Sequence, residues 1–169
     1  MDYFFTSKYH NGDPDTPMQE RIVEIIVYLI HEMQTDKRLG EIDLRVLSDK
    51  GYTQNEISTA FSWLFDKIHL GDNILSEGNR RLPHSHRVLH DSERAVITAE
   101  ARGYLLELRE LGLLDDMDIE LAIDRIMMAG YGLVGIDEMK SVIASIIFDY
   151  DDSNRIGSRL MLNSKDTIH

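Results

Sequence analysis

Cysteine is absent from the 169-residue sequence, so the chain carries no disulfide, no thiolate metal ligand and no cysteine nucleophile. Basic residues are scarce: 18 Lys+Arg against 30 Asp+Glu leave a formal net charge of −12. That balance argues against broad, non-specific nucleic-acid binding, which runs on neutralising phosphates, and against an anionic membrane surface. No apolar run approaches 20 residues, and Met1-Asp-Tyr-Phe-Phe-Thr-Ser lacks the basic and apolar regions of a signal peptide. A cytoplasmic protein with no membrane partner is the expectation. Sequence signatures of several enzymes are missing too: there is no GxSxG and no P-loop, and His31-Glu32 is not completed to HExxH because Thr35 stands where the second His belongs. What is present is ordinary for a folded chain, with 43% hydrophobic and 28% charged residues, so wholesale disorder is not expected. The length suits one domain or two very small ones.

Residues 1–17 hold Gly12, Pro14 and Pro17 without a sustained period and read as a flexible arm. Ile22, Ile25, Ile26, Leu29, Ile30 and Met33 then recur at helical spacing and predict an amphipathic helix over about 18–35. A short helix follows from Asp43 to Lys50, turning Leu44 and Leu47 inward, with Gly51 at the position after the cap that favours a left-handed backbone. Thr53-Gln-Asn-Glu56 is a capping box opening a third helix, with Ile57, Ala60, Phe61, Leu64, Phe65 and Ile68 on one face. Helix, short helix, tight turn and capped helix outline a helix-turn-helix unit over 18–69.

Residues 70–90 form a connector broken by Gly71, Gly78 and Pro83, in which Ile74-Leu75 and Arg87-Val88-Leu89 could pair as a hairpin and make the first half a winged helix. From Asp91 three helices are expected. One carries Ile97, Ala101, Tyr104, Leu105 and Leu108 and ends at Gly112; a second follows Asp115-Asp116 with Ile119, Ala122, Ile123, Ile126 and Met127 inward. The third runs from Ile136 to about Phe148. The fold class is thus mainly α: an N-terminal helix-turn-helix unit plus a three-helix C-terminal unit over 91–150, with a polar tail at 151–169 holding at most a short helix around Arg159–Leu162.

Gly130-Tyr-Gly132-Leu-Val-Gly135 matches GxGxxG, but the preceding Ile119–Met128 is helical, whereas a dinucleotide turn needs a parallel strand; an inter-helix loop is the better reading. His84, His86 and His90 lie within seven residues but lack an evident fourth ligand, so an exposed loop is favoured over a zinc or nickel site. The Asp149–Asn154 run lacks the Gly and terminal Glu of a calcium loop. Asp115, Asp116, Asp118, Glu120 and Asp124 read as a solvated, dipole-favoured helix start. Gly103 within a helix suggests close approach by a neighbouring helix. These readings leave no catalytic constellation, no metal and no cofactor.

Two sets of residues remain as interaction candidates. Gln54 and Asn55 begin the third helix and, with Arg80, Arg81 and Arg87 in the connector, could meet nucleic acid. Trp63 lies off the main apolar stripe and either packs beneath the first helix or anchors a partner.

The run Ile22–Leu29, the segment Gly51-Tyr-Thr-Gln-Asn-Glu-Ile57 through Ala60-Phe-Ser-Trp63-Leu64, then Arg102-Gly-Tyr-Leu-Leu106, Gly112-Leu-Leu-Asp115 and Ile123-Asp-Arg125-Ile-Met127 resemble the bacterial Smg family over roughly residues 18–150. The resemblance implies a cytoplasmic bacterial protein and supplies no catalytic residues. The arm before Met18, the histidines of 84–90 and the segment after Tyr150 depart from the family pattern. The residues and the resemblance together predict a non-catalytic interaction or regulatory protein whose partner is another protein, with a winged-helix nucleic-acid binder as the alternative. The acidity is uneven: residues 92–150 hold 12 acids and 5 bases, while 71–91 hold 3 of each. The connector is therefore the segment best suited to meet an anion.

Overall fold

The first helix, α1 (Met18–Gln34), lies at the centre of the molecule, with every residue from Glu20 to Ile30 buried. This computed structural model describes residues 14–35, 37–69, 89–130 and 132–163. The one-sided helix expected from the isoleucine period is buried all round. Val23, Val27 and Tyr28 occupy positions that a surface helix would give to polar groups, so the apolar surface of α1 extends well beyond one stripe.

A single 3-10 turn (Leu39–Glu41) leads to α2 (Arg45–Asp49). At the end of α2 the chain turns through Gly51, whose φ of 88° lies in the left-handed region. Gly51 N–H donates to the Ser48 carbonyl at 3.0 Å and Tyr52 N–H to that of Leu47 at 3.2 Å, the paired bonds of a Schellman cap. Then α3 (Gln54–His69) opens on the expected capping box: Glu56 N–H donates to Thr53 Oγ1 at 3.3 Å, and Thr53 N–H to Glu56 Oε2 at 2.7 Å. Its inward face is rotated from the predicted one. Glu56, Ile57, Ala60 and Leu64 are buried, Trp63 is half-buried, and Phe65 is exposed. Burying the Glu56 carboxylate against a partner on α1 pulls the Glu56–Ala60–Trp63 edge inward and rolls Phe65 outward.

The second half has four helices among the described residues, α4 (Asp91–Val96), α5 (Ala99–Glu110), α6 (Asp116–Ala129) and α7 (Ile136–Asn163), where three were expected. The extra break falls at Ile97, which is extended (φ −112°, ψ 120°). Thr98 then caps α5 by accepting from Ala101 N–H at 3.2 Å. Ile97 also forms an isolated parallel bridge with Val134. Val134 N–H donates to the Val96 carbonyl at 2.6 Å, and Thr98 N–H to the Val134 carbonyl at 3.0 Å. Three consecutive β-branched residues, Val96-Ile97-Thr98, suit this extended step. The last helix runs to Asn163, past the expected end near Phe148 and through most of the predicted polar tail. A helix already anchored by packing extends by one backbone hydrogen bond per residue without needing an apolar face.

Helices from both halves contribute to one hydrophobic cluster: α1 packs against both α3 and α7, and α7 against α5 and α6. Ile26 and Leu29 of α1, Leu64 of α3, Leu108 of α5, Ile123 of α6 and Met139 of α7 are all fully buried in it. The expected hairpin, Ile74-Leu75 against Arg87-Val88-Leu89, lies outside the described residues except for Leu89, which packs half-buried on the core. Gly103 has no neighbour within 4 Å of the position a Cβ would take, so no helix approaches it closely, contrary to expectation.

Candidate functional site

The charged side chains of α1 form a buried network. Arg21 reaches α3, its Nε donating to Glu56 Oε1 at 2.6 Å and its Nη2 to Glu56 Oε2 at 3.1 Å. The same Nη2 donates to the Gly51 carbonyl at 2.7 Å, and the guanidinium lies 5.0 Å from the centre of the Tyr52 ring. Three residues along α1, Glu24 accepts from the Tyr52 hydroxyl and from Lys140 Nζ of α7, each at 2.6 Å. Glu20 accepts from the Ser141 hydroxyl, also on α7. One buried stretch of α1 is thus bonded to the α2–α3 turn, to α3 and to α7.

The electrostatics follow from this pairing. The Arg21 hydrogen bond, aided by the Thr53 amide and hydroxyl, holds the Glu56 carboxyl down at about 2 against the desolvation that opposes it. Arg21 is raised in turn, chiefly by the hydrogen bond to Glu56. Burial, with Glu24 beside it, pushes the Tyr52 phenol far up, and burial does the same to Tyr104. An ionised carboxylate saturated with donors is a poor proton acceptor, and a phenol held neutral is a poor proton donor, so these groups clamp helices rather than exchange protons. Sequence patterning marked Glu56 and Gly51 only as capping residues and did not single out Glu20, Arg21, Glu24, Tyr52, Lys140 or Ser141 as partners. The available signal was Glu20, Arg21 and Glu24 standing within a helix that offers no polar face to solvent.

The residues named from sequence are spread apart. Gln54 and Asn55 are exposed in the first turn of α3. Trp63 packs against the core, with the Lys67 ammonium 5.4 Å from its ring centre; among the described residues its indole N–H has no acceptor. At 100° per residue Gln54 and Trp63 point to opposite sides of α3. Arg80, Arg81, Arg87, His84 and His86 lie outside the described residues. His90 caps α4: its Nδ1 accepts from Ser92 N–H at 3.4 Å, and its own N–H donates to Glu93 Oε2 at 2.8 Å. No group of three or more His, Asp or Glu side chains among the described residues could hold a metal ion. The GxGxxG match is an inter-helix turn. Gly130 ends α6 at φ 67°, and Gly135 N–H donates to Glu138 Oε2 at 2.9 Å. Asp115 and Asp118 of the acidic cluster form a reciprocal capping box, both bonds 2.9 Å.

Sequence patterning also did not single out the outer side of α6. The helix buries Ile119, Ala122, Ile123 and Ile126, yet Met117 is 75%, Leu121 42% and Met128 88% exposed. Met127, expected in the core, is 42% exposed at the edge of the buried face.

The described residues define an α-helical protein with a clamped, charged interior and apolar groups left over on its surface; none of its described helices is long and apolar enough to cross a membrane. Residues 22–169 match the family described as "Protein of unknown function (DUF494)". The chain is 33% identical over 139 residues to the Protein Smg homolog of Thioalkalivibrio sulfidiphilus, covering 80% of this chain and 87% of that relative. It is 31% identical over 141 residues to the Smg homolog of Alkalilimnicola ehrlichii, with 78% and 85% covered, and 30% identical over 140 residues to one from Stenotrophomonas maltophilia, with 80% and 87% covered. The chain belongs to the Smg family. No solved structure matches it.

Proposed function

We propose that this Smg-family chain works by binding another protein and is not itself a catalyst. The observation that carries this reading is the row of exposed Met117, Leu121 and Met128 on a helix whose opposite side is already in the core. Large apolar groups gathered on one surface favour a partner that removes them from water. Of the buried carboxylates of α1 and α3, Glu24 and Glu56 are taken up by internal ion pairs and Glu20 by the Ser141 hydroxyl. Capture of partners by the full chain from bacterial lysate, with and without nuclease, tests the reading. Protein partners that survive nuclease support it. Binding that disappears with nuclease and weakens steeply with salt overturns it.

One observation favours a second reading, a winged-helix-like nucleic-acid binder. Gln54 and Asn55 are exposed at the start of α3, directly after the short α2 and its glycine turn, where a recognition helix presents base-reading side chains. Arg80, Arg81 and Arg87 would supply the phosphate contacts. A mobility shift at low salt that is lost in the Arg80→Ala, Arg81→Ala, Arg87→Ala triple variant supports this alternative; no shift at low salt removes it.

A further inference from the structure

Met117, Leu121, Asp124 and Met128 recur at i, i+4, i+7 and i+11 along α6, a length of about 16 Å. At 100° per residue they fall within about 60° of one another, opposite the buried Ile119, Ala122, Ile123 and Ile126. The helix is therefore apolar on two opposite sides, and the structure covers one of them. Asp124 stands in the middle of the uncovered stripe, exposed, and makes no ion pair among the described residues. Around it α6 carries Asp116, Asp118 and Glu120; Arg125 is its single base, and Arg109 of α5 pairs with Asp116 at 2.8 Å. Arg125 is turned to α7, donating to Ser145 Oγ at 2.6 Å and pairing with Asp149 at 3.3 Å. The stripe is thus an apolar strip with a carboxylate at its centre and a net negative surround.

These charges select the occupant. A second copy of the chain laid centrally on the same face would bring the two Asp124 carboxylates together, with Arg109 already committed to Asp116 and Arg125 to Asp149, which like-charge repulsion opposes. A helix that is apolar on one side and basic along its margin matches both properties, and methionine side chains adapt to its shape without a preformed groove. We propose that the outer face of α6 is the docking site for an amphipathic helix of a partner protein with Lys or Arg beside its apolar stripe, one of which meets Asp124; this rests on the protein-binding reading above.

The probes are two 18-residue helical peptides with the same leucine stripe, one carrying lysines and the other glutamates at the marginal positions, titrated against the full chain by fluorescence anisotropy. The wild-type chain is expected to bind the lysine peptide at least about tenfold more tightly than the glutamate peptide. Asp124→Asn should reduce that preference and Asp124→Lys abolish or invert it, while Asp49→Asn, a charge change on exposed α2, should leave it unchanged. Leu121→Asn with Met128→Asn keeps the charge and should weaken lysine-peptide binding at least about tenfold, with the circular dichroism of the fold retained. Three results overturn the proposal: no binding of the lysine peptide, equal effects of Asp124→Asn and Asp49→Asn, or a dimer by light scattering that Leu121→Asn with Met128→Asn dissolves. Nuclease-resistant capture unaffected by that double variant would leave protein binding standing and remove this face from it. Loss of all such capture would remove both.

Discussion

Glu56 shows how one side chain can serve local and long-range structure together. Its carboxylate closes the capping box of α3 and neutralises Arg21 on α1. Because its folded pKa is depressed from 4.5 to about 2, its contribution is fully present above pH 4.5 and is lost as the pH falls from there toward 2. At neutral pH that contribution is on the order of 3 kcal/mol, similar to the cost of stranding a buried charge. Glu56→Gln should therefore lower the unfolding free energy by about 3 kcal/mol at pH 7, measured by urea denaturation, and the gap to wild type should close as both are taken toward pH 2. Gly103 is the opposite case, a helical glycine with nothing near it. Gly103→Ala should raise the thermal midpoint, with a gain of up to about 1 kcal/mol, since Ala restricts the unfolded chain and meets no obstacle in the folded one.

At the scale of elements, the break between α4 and α5 changes what the second half is. Thr98 stops one helix pattern and starts another, and the freed Ile97 segment pairs with Val134 in the loop after α6. Thr98→Ala should cost about 1 kcal/mol by thermal or chemical denaturation, through the lost cap on Ala101 N–H. Amide exchange should quicken first at Thr98 and Val134, whose bonds join α5's start to that loop. The ends of α2 and α5 show the complementary device. Gly112 repeats the geometry of Gly51, with its N–H on the Arg109 carbonyl and Leu113 N–H on that of Leu108. Both glycines were legible in advance because a left-handed cap admits few other residues. The Ile97 break was not, since Ile97 also fits the helical period of Ala101, Tyr104 and Leu108.

For the whole molecule, the placement of α1 between α3 and α7 joins the two sequence units into one core. Arg21–Glu56 and Glu24–Lys140 then act on opposite partners of the same helix. Unfolding of the described helices should be a single cooperative transition, with the midpoint from fluorescence of the sole tryptophan, Trp63, coinciding with that from far-ultraviolet circular dichroism. Separated midpoints would instead mean that 18–69 and 91–163 hold together independently. Ile26→Ala, at the fully buried centre of α1, should cost about 2–5 kcal/mol and move both signals together.

Local pattern determined the mainly helical class, the Thr53 box, the Gly51 and Gly112 caps and most inward positions of α5 and α6. Each depends on a few adjacent residues and on the 3.6-residue period. Tertiary structure alone decided that α1 is buried on every side, that Glu20, Arg21 and Glu24 are therefore paired inside, and that α3 rolls to bring in Glu56 and put out Phe65. A sequence shows which residues share a helix face but not how many faces find a neighbour. For α1 every face did; for α6 two apolar faces were written and the fold covered one, leaving Met117, Leu121 and Met128 on the surface.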